Sequence, residues 1–127
     1  MGQPWSSIRV AGLVMDVPGQ FAPSAERGIE GSAAVLEGAG MRLTVDASPF
    51  ADPLTGYAAK PGYAHWRESL GTSTADFVLF EEEGILTVAA RIPGQGTAVI
   101  HQRAGAGRDT ALQILRSIRT DQGESNA

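Results

Sequence analysis

The chain reads as an α+β domain, an antiparallel β-sheet of about six to seven strands with a C-terminal helix on one face. A shorter N-terminal helix near Pro23 to Arg27 fits as a second cover. Three observations predict this class. Most segments between turn signals are roughly four to eight residues long and rich in Val, Ile, Leu, Thr and Phe. One stretch alone, Ala111 to Ile118, carries a clear helical apolar repeat. At 127 residues, with 43% hydrophobic and 19% charged residues, the chain has enough apolar material for one core.

Along the chain, residues 1–9 read as an N-terminal arm, 10–120 as the domain and 121–127 as a disordered polar tail. Val10 to Gly19 is expected to be the first strand, burying Leu13, Met15 and Val17 and stopping at Pro18 and Gly19. Ser32 to Glu37 and Met41 to Ala47 form a hairpin around Gly38, Ala39 and Gly40. Met41, Leu43 and Val45 share one face, and Arg42, Thr44 and Asp46 the other. Ser48 to Gly62 carries three prolines and two glycines, too many for a regular element. Such a connection inside a compact domain is a first place to look for a ligand or partner.

Residues 63–70 suit either a helix or a strand, since both bring Trp66 and Leu70 together; the flanking Gly62 and Gly71 favour a short strand. Asp76 to Glu81, Ile85 to Ile92 and Thr97 to Arg103 follow as a meander separated by glycine turns. Leu86, Val88, Ala90 and Ile92 face one way, leaving Thr87 and Arg91 for the other. In the closing helix, capped by Asp109 or Thr110, Ala111, Ile114, Leu115 and Ile118 form the buried stripe. Arg116 and Arg119 complement its C-terminal dipole.

Charge and composition exclude several functions. Ten Lys and Arg against fourteen Asp and Glu leave a net charge of −4, which disfavours nucleic acid as a partner. Without cysteine there are no disulfides, thiolate chemistry or Cys-based zinc sites. No signal peptide and no membrane-length apolar run is evident, so a cytoplasmic chain with no membrane insertion is expected.

Candidate sites are sparse. The loop before the last helix, with Arg103, Gly105, Gly107 and Arg108, has the parts of an anion site. Its spacing matches neither the Walker nor the dinucleotide pattern, and Asp109 sits where a phosphate would lie, so a plain strand-to-helix connector is the simpler reading. His65 and His101, with nearby carboxylates, are the only candidates for acid–base or metal chemistry. No serine lies in a Gly-x-Ser-x-Gly elbow. No catalytic residue, metal site or cofactor is assigned. Phe50, Tyr57, Tyr63 and Trp66 flank the Pro- and Gly-rich connection and are the best candidates for a recognition surface, although they also suit one end of the core.

The element order resembles the PsbP-like fold superfamily across residues 10–120. Val17 and Pro18, Leu86 with Val88, and Ala111, Ile114, Leu115, Ser117 and Ile118 carry the resemblance. That group includes an extrinsic photosystem subunit, a Ran-binding import factor and many small bacterial proteins and lipoproteins. The resemblance implies an antiparallel sheet with helices on one face, a bacterial member of the group, and a role in binding another protein. It also favours the strand reading of residues 63–70. The lipid-accepting Cys of the lipoproteins is missing. The expected function is therefore a non-catalytic binding or accessory protein that holds a protein or peptide through the Phe50 to Trp66 region. The alternative is a small enzyme or ligand-binding domain with a pocket around His65 and His101, and a homodimer through an exposed strand edge or the apolar patch is a further expectation.

Overall fold

The computed structural model describes residues 5–23, 29–30, 33–48, 54–105 and 107–120. In chain order the strands are β1 (Trp5–Val10), β2 (Leu13–Pro18), β3 (Ala22–Pro23), β4 (Ile29–Glu30), β5 (Ala33–Gly38) and β6 (Met41–Asp46). They continue as β7 (Ala64–Leu70), β8 (Ser73–Glu82), β9 (Ile85–Ile92) and β10 (Gly96–Arg103), followed by helix α1 (Asp109–Arg116) and strand β11 (Arg119–Thr120). Seven strands lie in the order β3-β5-β6-β10-β9-β8-β7, with β4 also pairing β5; a separate small sheet has the order β1-β2-β11. All pairings are antiparallel. The α+β class with its C-terminal helix is as the sequence predicts, and residues 64–70 are a strand.

The long pairing runs reflect apolar alternation. Trp66, Phe77, Ala90, Ala98, Val45 and Ala34 stand side by side in one row across β7, β8, β9, β10, β6 and β5. Neighbouring rows add Leu79, Val88, Ile100, Leu43 and Leu36 on this inner face. Over it lie Ala111, Ile114, Leu115 and Ile118 from the helix end of the chain, and Val10, Leu13, Met15 and Val17 from the small sheet. All of these but the half-buried Trp66 are buried. Full burial of a Leu, Ile or Phe side chain stabilises by about 1.5–3 kcal/mol, so this one core dominates the fold's free energy. The helix thus shares its role as cover with β1-β2-β11.

Several boundaries differ from the sequence expectation. The segment from Val10 to Gly19 is not one strand: Val10 ends β1, Ala11 and Gly12 make the turn, and Leu13 opens β2. Ala11 takes φ 51, the left-handed conformation of a tight hairpin turn. Residues 5–9, assigned to an arm, therefore belong to a strand with Val10, largely exposed except at Ile8 and Val10. The helix ends at Arg116 with Ser117 as its C-cap, so Arg119 lies in β11 and pairs with Val14. Ser117 ties the helix to the small sheet: its hydroxyl donates to Ile114 O (2.5 Å) and accepts from Asp16 N–H (2.8 Å). Asp16 in turn accepts from Ser7 (2.8 Å) and Arg119 (3.1 Å), and these bonds hold its carboxyl below the usual value of 3.8. The short helix expected near Pro23 to Arg27, the position of Phe50, and the tail from 121 onward lie outside the described residues. No helix among the described residues is long and apolar enough to cross a membrane.

Gly96 is required where the meander turns toward β10. Its φ is 155, and a Cβ there would lie 2.5 Å from Asp46 O and 2.8 Å from Ala47 Cα. Backbone approaches this closely, so no side chain fits.

Candidate functional site

The other face of the large sheet is not simply wet. Val78 and Phe80 on β8 and Ala89 on β9 are buried there, in a cluster joined by Leu54, Tyr57, Tyr63 and the half-buried Val99. The segment "DFVLF" is apolar at both parities, the pattern of a strand buried on two sides. Among the described residues the cover on this face is the connection 54–63. Tyr57 stacks on Phe80 with ring centroids 5.1 Å apart, and Lys60 Nζ donates to both carboxylate oxygens of Glu82 at 2.8 and 2.9 Å. Glu81 N–H donates to Pro61 O at 2.9 Å, fastening the connection to the end of β8. Leu54, Tyr57 and Lys60 are three residues apart, and they step along the strand as Phe80 and Glu82 do two apart.

The connection covers β8, and beside it, over β9, β10 and β6, the face is recessed rather than flat, with Thr87, Ala89 and Thr97 buried and Val99 half-buried. A cleft of about 550 Å³ results. Its floor is Val78, Phe80, Ala89 and Val99, its wall Leu54 and Tyr57. Thr44, Thr87 and Thr97 supply hydroxyls, and Asp46, Lys60, Glu82 and His101 form the rim. Volume and composition are those of a ligand cleft: mostly apolar, with a few placed polar groups. His101 keeps an exposed surface at the mouth. Partial burial, reinforced by the Arg42 guanidinium opposite it, holds its imidazole below the ordinary 6.5, so it is largely neutral at pH 7. Among the described residues no carboxylate hydrogen-bonds His101.

The sequence candidates separate on this frame. Tyr57 and Tyr63 belong to the outer-face cluster. Trp66 does not: it lies on the inner face, stacked on Phe77 at 5.4 Å, with Nε1–H donating to Glu68 at 2.7 Å. Glu68 also pairs with Arg116 of the helix (2.8 Å), and that bond keeps its carboxyl below the usual 4.5. Trp66 is therefore a core and helix-docking residue, parted from Tyr57 by the thickness of the sheet. The two histidines do not converge either. His65 on β7 and His101 on β10 are three strand spacings apart, about 14 Å. His65 Nε2 lies 3.4 Å from Asp76 Oδ1, which Arg67 Nε also reaches at 2.9 Å. Among the described residues no group of three His, Asp or Glu side chains could hold a metal ion.

The glycine loop is a connector in its contacts. Gln102 Nε2 donates to Gly107 O at 2.9 Å, and Ala104 N–H to Gly84 O at 2.8 Å, so the loop is tied back to β10 and the β8–β9 turn. Gly105 takes φ 97. Arg103 lines a hollow with Glu37, Met41 and Arg42. Arg108, already in the right-handed helical region, is the N-cap, without a side-chain bond. Asp109, expected as the cap, is instead the first helical residue, where its charge favours the dipole and repels an incoming anion.

What sequence reasoning missed is the sheet's second apolar face, above all Phe80, Ala89 and Val99. The signal was present in "FVLF" and "VAA", which are apolar at both parities. No protein-family model and no curated protein matches the chain.

Proposed function

We propose that the protein is a non-catalytic binding module that seats an apolar side chain of a partner peptide in the outer-face cleft. The observation that supports this most is the half-covered second face. Buried apolar side chains on β8 and β9 continue into a cleft whose non-strand lining, among the described residues, is Leu54, Tyr57 and Lys60. A cleft walled on one side admits a group still attached to a backbone. Tyr57 and Tyr63 keep the recognition role expected of them, and Trp66 becomes structural. A bacterial, PsbP-like accessory protein is consistent with the antiparallel sheet and closing helix, and that kinship is part of the proposal.

The test is selection of short peptides from a displayed library, followed by titration against wild type, Tyr57→Ala and Val99→Phe. Val99→Phe places a ring in the cleft, and Tyr57→Ala removes a wall. Both variants, folded by circular dichroism, should bind selected peptides at least about tenfold more weakly, the scale of one lost apolar anchor. Equal binding by all three proteins would refute the reading. The volume also favours a second reading, a compact apolar small molecule bound beside His101. That reading predicts small-molecule thermal stabilisation blocked by Val99→Phe, with no peptide selected.

A further inference from the structure

A further hollow, about 360 Å³, lies beside the cleft, beneath the start of the connection. Leu54 borders both. This hollow is charged: Arg67, Asp76 and Arg91 occupy one row across β7, β8 and β9, with His65 and Tyr63 next to them. Asp76 is already taken. Its Oδ1 accepts from Arg67 at 2.9 Å and lies 3.4 Å from His65 Nε2, and although burial works against the charged form, those bonds hold the carboxyl below the usual 3.8. Arg91 stands directly across the ladder from Asp76, half-buried, and among the described residues it makes no hydrogen bond or ion pair.

A half-buried guanidinium without a partner is unusual, because losing water without gaining an acceptor is costly. The backbone above it is also held in an unfavourable state. Leu54 is buried at φ 60, a region that a bulky residue rarely enters, and unlike Ala11 it is not in a two-residue hairpin turn. Both features converge on the wall between the two hollows.

We infer that Arg91 is the anchor for a carboxylate on the ligand whose apolar group fills the adjacent cleft, an inference that rests on the binding reading given above. Among the described residues, Arg67 and Arg91 against Asp76 leave one positive charge in the hollow. A singly charged carboxylate cancels it, where a phosphate dianion overshoots. The guanidinium fork matches a carboxylate bidentately. Tyr63 and Thr55 line the same hollow and can donate to it. Asp46, the nearest other carboxylate in that row, is two strands away beyond Thr97, about 10 Å, so it does not compete for Arg91. The carboxylate can come from a peptide C-terminus, an acidic side chain or a free organic acid.

The experiment compares acetyl-leucine with acetyl-leucinamide by methyl NMR titration of the full chain, in wild type, Arg91→Gln and Arg91→Lys. The acid should bind wild type roughly five- to tenfold more tightly than the amide, with a preference that weakens as salt rises. Arg91→Gln should bind both equally, and Arg91→Lys should keep part of the preference. Acetyl-glycyl-leucine, acetyl-glutamyl-leucinamide and hexanoate then identify the source of the carboxylate. Equal binding of acid and amide by wild type overturns the inference and leaves the cleft reading standing. Failure of both to bind overturns the cleft reading and this one with it. Tighter binding of leucinol phosphate than of acetyl-leucine overturns the carboxylate assignment alone. Since Arg91 makes no bond among the described residues, both variants should melt within about 2 °C of wild type, the scale of a neutral surface change.

Discussion

Val99 and Ile100 are neighbours on β10 that face opposite sides of the sheet, and the two faces should answer differently to the same truncation. Ile100 is fully buried under the helix and small sheet. Ile100→Ala removes side-chain carbons worth about 0.8 kcal/mol each and leaves a sealed void, so its cost should be about 3–4 kcal/mol. Val99 borders the open cleft and is only half-buried. Val99→Ala leaves no sealed cavity, because water already reaches the site, and its cost should be about 1 kcal/mol or less. Urea unfolding followed by circular dichroism, with an unchanged m-value, gives both numbers. Because the two positions share a strand, backbone effects are common to them and the difference isolates the faces. A Val99→Ala cost within about 1 kcal/mol of the Ile100→Ala cost would refute an outer face that is only partly covered.

Other consequences follow from the contacts. Gly96→Ala should destabilise by about 2 kcal/mol or more, since the new Cβ meets backbone of Asp46 and Ala47; a neutral result in urea titration would contradict that close approach. Trp66→Ala should lower stability by about 3 kcal/mol or more through the lost Phe77 stack and Glu68 bond, without changing peptide affinity of the folded protein; a loss of affinity at unchanged stability would return Trp66 to the binding surface. His101 titrates below 6.5 when folded, so its contribution is fully present above the unfolded value and is lost as pH falls through the folded one. His101→Gln should therefore flatten the stability profile just below pH 6.5, and an NMR titration midpoint above 6.5 would contradict the direction. Asp16, Glu68 and Asp76 have folded values depressed below 3.8, 4.5 and 3.8, so their contributions hold above those values and fade as acid protonates them. Glu68→Gln should reduce the stability lost on acidification below about pH 4.5.

The inner half of the architecture was legible because its physics is local. Leu13, Met15 and Val17, then Leu43 and Val45, alternate with period two, and Ala111, Ile114, Leu115 and Ile118 repeat at helical spacing. The outer face was not, since burial on both sides erases alternation: Thr87 and Ala89 are as inaccessible as Leu86 and Val88. The aromatic cluster failed for a related reason. Sequence proximity put Tyr57, Tyr63 and Trp66 together, whereas strand parity sends residues 63 and 66 to opposite faces. The missing hairpin turn at Ala11 and Gly12 had no Asn-Gly or Asp-Gly signal, and β11 is too short to show any pattern. Arg91 was visible only as an outward strand residue; its lack of a partner among the described residues depends on Arg67 and His65 reaching Asp76 from another strand.

The most direct measurement is a methyl-labelled NMR titration of the intact chain with acetyl-leucinamide, which carries the apolar group and no charge. Saturable shifts confined to Val78, Ala89 and Val99, with Val88, Ala90 and Ala98 unmoved, are what a cleft on the outer face predicts. Shifts centred on the inner-face methyls, or none at any concentration, would contradict it.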